Sequence, residues 1–284
     1  MPKVLGQTEY MTDFHNLFEA FDYAFMRNAL MGGVLLSLCA GLLGVYLVLK
    51  HFSMIGDGLS HVGFGALAIG AAAGVAPLKI AVPVVIVAAV LLLRLNENSR
   101  LKGDSAIALV STGALAVGVM ASSLNGGTNI DLNNYMFGSI LAMKSSYVAV
   151  CLIMTSVIVL MYFLMYNRIF AVTFDETFSR ATGTNTGAYT TVIAILTAIT
   201  IVVGMQMMGA LLMSSFIIFP ALSALRVCRS FRGTLTVSAL LSVVSFVTGL
   251  FVSFTLDTPA GATVVVTDIV IFALFSLAGR LKRA

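Results

Sequence analysis

The chain has 284 residues, 59% of them hydrophobic and 10% charged, with a mean hydropathy of +1.03. Soluble domains carry roughly a quarter charged residues, so water is excluded as the main solvent. The net charge of +4 sits in short loops, with no Lys/Arg run interleaved by aromatics, which excludes nucleic-acid binding.

In chain order, residues 1–26 form a first segment. Within it Phe14, Leu17, Phe18, Phe21 and Phe25 fall on one stripe and Asp13, Asn16, Glu19 and Asp22 fall elsewhere. That pattern predicts an amphipathic helix lying in the membrane interface, and its acidic residues argue against a secretory signal. Residues 27–284 then read as a single transmembrane domain, an all-α polytopic bundle. A helical span needs about 20 apolar residues. Candidate spans cover 29–49, 56–74, 78–93, 105–123, 147–166, 190–203, 207–225, 234–256 and 262–277, about nine in all. The seventh is separated from the sixth only by a Gly-Met-Gln segment. Loops 94–102, 226–232 and 280–283 are basic, whereas 124–134 and 257–261 lack Lys and Arg. Basic loops stay inside, so nine spans place the N-terminus outside and the C-terminus inside.

Ionisable residues within spans are costly and mark functional candidates. Asp57 and His61 are four residues apart in the second span and share one helix face. A carboxylate and an imidazole suit a first-row divalent metal such as zinc or manganese. The competing reading makes Asp57 the N-cap of that helix. Ser60 lies between them, and Asp268 in the last span needs a polar partner; Ser60 and Asp268 are candidates for a secondary path.

The stretch 173–183, TFDETFSRATG, predicts a short amphipathic helix in an inside loop. Thr173 and Glu176 fit a capping box. Phe174 and Phe178 lie on its apolar side, Asp175, Glu176 and Arg180 on its polar side, and Gly183 suits a helix stop. It reads either as a helix resting on lipid or as one docking on a cytoplasmic ATPase. Met205, Met207 and Met208 cluster at a predicted turn; methionine suits soft metals, but packing is its commoner use. Cys39, Cys151 and Cys228 are far apart and read as packing residues. No G-x-x-x-x-G-K-[ST] and no H-E-x-x-H occurs, so neither ATP binding by a P-loop nor a zinc protease is supported.

Four segments in order resemble the manganese/zinc/iron ABC-importer permeases of bacteria and archaea. They are 48–61, VLKHFSMIGDGLSH; 174–183; 203–212 with 216–221, VGMQMMGALL and FIIFPA; and 257–261, DTPAG. The resemblance implies a type II, vitamin B12-importer-like permease in the plasma membrane. It would work as a homodimer with a cytoplasmic ABC ATPase and an extracytoplasmic metal-binding protein. It also implies that Asp57 and His61 contact the transported Zn2+ or Mn2+, that 174–182 is the coupling helix, and that no cofactor is permanently bound. Binding should weaken below about pH 6, because a ligating histidine must be neutral. A siderophore or vitamin permease of the same fold would want an uncharged path, and an ATP-independent secondary transporter would show inverted repeats, of which no clear pair is visible.

Overall fold

A computed structural model describes residues 24–98, 103–124, 138 and 145–281. The amphipathic helix expected before residue 24 lies outside the described residues. Those described are helical in ten segments: α1 (Ala24–Leu49), α2 (Ile55–Ala72), α3 (Pro77–Asn98), α4 (Gly103–Leu124), α5 (Ser145–Phe174), α6 (Glu176–Ala181), α7 (Thr186–Met208), α8 (Ala210–Val227), α9 (Phe231–Leu256) and α10 (Ala260–Leu281). The all-helical class follows from the solvent. In hydrocarbon every backbone amide must be satisfied within its own segment, which a helix does.

Among the described residues seven helices are long and apolar enough to cross a membrane: α1, α4, α5, α7, α8, α9 and α10. Of the nine expected spans, α2 and α3 fall short of that measure. The 18 residues of α2 match α8 in length, so its shortfall lies in apolarity, which Asp57 and His61 lower. The apolar part of α3 is only Pro77–Leu93.

Three local expectations are corrected. The sixth and seventh spans do not part at residues 204–206. They part at Gly209 alone, whose φ of 93° and ψ of 154° suit glycine. The span expected over 147–166 continues to Phe174, because its aromatics Tyr166, Phe170 and Phe174 stack with Phe231 at the start of α9. Thr173 is not a capping residue. Its hydroxyl donates back to the Ile169 carbonyl at 2.6 Å, and the cap of α6 is Asp175, which accepts from the Phe178 amide at 2.8 Å.

Helix α1 packs on α5, α7, α8 and α9. Lipid offers no hydrophobic drive between helices, so close approach and polar contacts hold them. A Cβ at Gly44 would overlap the backbone oxygen of Ile217, so α1 and α8 touch backbone to backbone there. Hydroxyls from two neighbours donate to α1 carbonyls: Tyr162 to Leu42 at 2.9 Å and Ser238 to Gly41 at 2.8 Å. The methionine cluster is packing. Met205, Met207 and Met208 are all buried, Met205 filling the space beside Gly63 and Met207 lying 3.9 Å from the Cys151 thiol.

One end of the bundle gathers several of the charged and basic segments. Lys50 after α1 meets α6, Arg232 of α9 lies over the Tyr166 ring of α5, and the Arg226 carbonyl of α8 abuts Gly279 of α10.

Candidate functional site

The site begins where α1 turns into α2. The α1 terminus closes by two bonds, His51 N to Val48 O at 3.1 Å and Phe52 N to Leu47 O at 2.7 Å, with His51 in the left-handed region at φ 60°. That is a Schellman closure, with His51 in the place usually held by glycine and Phe52 buried behind it. His51 is therefore a turn residue. Met54 caps α2 without a side-chain bond, and Asp57 lies one turn inside. Asp57 is consequently not the N-cap itself but an acidic residue of the first turn.

Asp57 and His61 face one another, Oδ2 to Nε2 at 3.6 Å, with 49% and 31% of their side-chain surfaces exposed. They line a cleft of about 530 Å³ whose other wall is α4, with Ile107, Ala108, Ser111, Thr112 and Leu115, and whose rim is Met54. Helices α2 and α4 are in contact further along, at Gly65: its Cα and Gly118 nearly touch, and a Cβ on Gly65 would overlap the Ala114 oxygen. Small residues bring that part of the pair together, and beside the cleft Gly58 of α2 packs on the Ile107 side chain of α4.

The Nδ1 atom of His61 is buried and has no hydrogen-bond partner among the described residues. An unpaired buried nitrogen costs about 1–3 kcal/mol, and such costs call for an explanation such as a functional role. Among the described residues no group of three or more His, Cys, Asp and Glu side chains comes together. One chain therefore offers a carboxylate and an imidazole, a set that can hold a divalent cation weakly and leave most of its coordination to other donors.

Asp268 is placed elsewhere. It is 2% exposed, enclosed among α8, α9 and α10, and accepts from Ser215 Oγ at 2.6 Å, with the Ser245 hydroxyl also facing it. Ser60 is fully buried and donates to the Gly56 carbonyl at 2.8 Å. Neither lines the Asp57 cleft.

The remaining candidates meet at α6. Phe174 and Phe178 are exposed, and Ser179 anchors the other face, buried. Glu176 divides its carboxylate between Lys50 Nζ at 2.9 Å and the Arg180 guanidinium at 2.6 Å, and Arg180 Nε donates to Thr186 Oγ1 at 2.9 Å. Gly183 has φ 82°, the turn that lets the chain leave α6 for α7. Burial works against the charge on Glu176, yet Lys50 and Arg180 outweigh it and hold the carboxyl below the ordinary glutamate range. Sequence reasoning missed Lys50 as a partner of α6, and Ser111 and Thr112 as walls of the cleft. The hydroxyls of 111 and 112 in an otherwise apolar span were the available signal.

A model of the ABC 3 transport family matches residues 22–279. The chain is 30% identical over 248 residues to the high-affinity zinc uptake system membrane protein ZnuB of Haemophilus influenzae, covering 87% of this chain and 94% of that one. It is 27% identical over 256 residues to the manganese transport system membrane protein MntC of Halalkalibacterium halodurans, covering 90% and 88%. Its fold superposes on PsaBC from Streptococcus pneumoniae, solved in complex with Fab, with a TM-score of 0.80 at 25% identity over 91% of this chain and 95% of that one.

Proposed function

The chain belongs to the ABC 3 transport family, and on that premise we propose that it is the permease through which Zn2+ or Mn2+ enters the cell. It is the membrane subunit of an ABC metal importer, a multi-pass protein whose ATP hydrolysis belongs to a partner chain. The observation that carries the metal reading is the Asp57–His61 pair, open to a cleft on a helix buried among apolar spans.

A half-exposed carboxylate on a helix packed among apolar spans cannot face lipid. It needs a water-filled path or a second protein surface, and a second copy of this chain meets that need. Two copies would present two carboxylates and two imidazoles to one path. That supports the homodimeric, type II arrangement. An ion there keeps part of its water, binds transiently and is released, unlike one in a closed four-ligand structural site.

In this reading α2 and α3 also cross the membrane, packed against α4, α7 and α8, which makes nine crossings. The end that gathers Lys50, α6, Arg226 and Arg232 is cytoplasmic by the positive-inside rule, with the N-terminus outside. The exposed Phe174 and Phe178 then present α6 to the ATPase, and the opposite end receives metal from an extracytoplasmic binding protein. Alternating access follows when ATP binding draws the two α6 helices together.

The test is the zinc, manganese and iron content of cells carrying the intact operon, Asp57→Ala or His61→Ala, read by mass spectrometry. One metal should fall in both variants while the protein still reaches the membrane. Unchanged levels of all three metals would falsify the reading.

A further inference from the structure

Helix α6 has six residues, too few to hold a position by itself. A backbone bond from Asp175 N to Ala171 O at 2.9 Å joins it to α5, and side chains tie it further, among them Lys50 to Glu176, with only 17% and 27% of their side chains exposed. Lys50 belongs to the turn that leads into α2. Between Lys50 and Asp57 the backbone has little slack. Lys50 N bonds Tyr46 O at 3.0 Å, Phe52 N bonds Leu47 O at 2.7 Å, Ile55 N bonds Phe52 O at 3.0 Å, and Gly58 N bonds Met54 O at 3.0 Å. Phe52 and Ile55 are buried and seat this turn in the bundle. The turn from Lys50 to Asp57 is thus a short, hydrogen-bonded joint between the end of α1 and the first turns of α2, where Asp57 and His61 stand.

We propose that Lys50 is a positioning residue for transport, its ion pair with Glu176 carrying the movement of α6 to the Asp57–His61 pair. The inference rests on the reading of α6 as the ATPase-facing helix and adds to it the route by which that helix reaches the metal path. Two features favour a transmitting over a decorative role. The pair is partly buried, whereas exposed pairs contribute little. It also joins residues 126 positions apart that lie on the two elements that must move together. Arg180 holds the other oxygen of Glu176 and, through Thr186, the start of α7. Glu176 is thus the common point of three elements, and Lys50 is its only link to α2 among the described residues.

The experiment uses the whole transporter, permease with its ATPase and binding protein, in proteoliposomes, measuring ATP hydrolysed and Mn2+ or Zn2+ taken up. Lys50→Gln should lower the metal moved per ATP about five- to tenfold, the lower range of couplings between sites, with the amount of assembled complex unchanged. Glu176→Gln also loses Arg180 and should fall at least as far, and the double variant should fall no further than Glu176→Gln alone, since Lys50 acts through Glu176. Lys50→Arg, which keeps the charge, should restore most of it. An unchanged ratio in Lys50→Gln, losses that add in the double variant, or hydrolysis and uptake falling together with the assembled complex would each overturn the proposal. Wild-type vesicles that move neither metal on ATP addition would overturn the importer reading as well, so the two failures are distinguishable.

Discussion

Asp57 and Asp268 are both aspartates on helices of one apolar bundle, and the structure treats them in opposite ways. Asp268 is 2% exposed and bound by Ser215 across a helix interface. Asp57 keeps 49% of its side chain open to a cleft, with a histidine at 3.6 Å and a buried unpaired nitrogen beside it. A carboxylate enclosed and hydrogen-bonded ties helices together, while one left open beside an imidazole is available to a solute in the cleft. Residue type alone does not separate these roles; the surroundings do.

The largest effect that tests this contrast comes from removing each carboxylate. Asp57→Ala should lower metal uptake at least about 100-fold, beyond the 10–100-fold typical of losing an outer-shell partner, with thermal stability in detergent unchanged. Asp268→Ala should do the reverse. It strands the buried Ser215 hydroxyl and costs about 1–3 kcal/mol, read as a lower Tm and a smaller yield. A well-folded Asp268→Ala protein that no longer transports would break the division between the two sites.

A smaller effect sharpens the same contrast through packing. Gly44 lies where α1 and α8 backbones meet, so Gly44→Ala should cost about 1–3 kcal/mol by overpacking. Ala108 lines the open cleft, so Ala108→Leu should change stability by no more than about 0.5 kcal/mol while slowing uptake. If the two substitutions lower Tm equally, the cleft is no more open than the core.

The smallest effect concerns Glu176, a third carboxylate that is half-buried and doubly paired. Its folded carboxyl lies below the ordinary glutamate range despite burial. A depressed value means that its contribution to stability is complete above the unfolded value and is lost as pH falls through the folded one. The Tm difference between wild type and Glu176→Gln should therefore be constant from about pH 8 down to about pH 5.5 and shrink only below about pH 4.5. A difference that already fades between pH 8 and pH 6 would show that Glu176 is not held in its charged form by this pair.

Much of the site was legible because its signals are local. Asp57 and His61 are one helical turn apart, so the four-residue spacing already put them on one face. The Phe/Asp/Glu/Arg pattern of 174–183 likewise announced a short amphipathic helix, though its cap was assigned to Thr173 when Asp175 does the work. Two acceptable capping residues stood two positions apart, and only the length of α5 decided between them. The break between α7 and α8 was misplaced for a similar reason. Gly204 and Gly209 both punctuate the stretch, but Gly204 stays helical against Met213 while Gly209 alone takes a positive φ.

Composition and periodicity by themselves determined the membrane class, the helical fold and the Asp57–His61 pair, because a bilayer demands long apolar helices and a span tolerates few charges. What separated Asp57 from Asp268, and joined Lys50 to Glu176 across 126 residues, is contact between distant segments. Such contacts depend on which small residues let helices close and which side chains hold them apart, and that is settled only when the bundle packs.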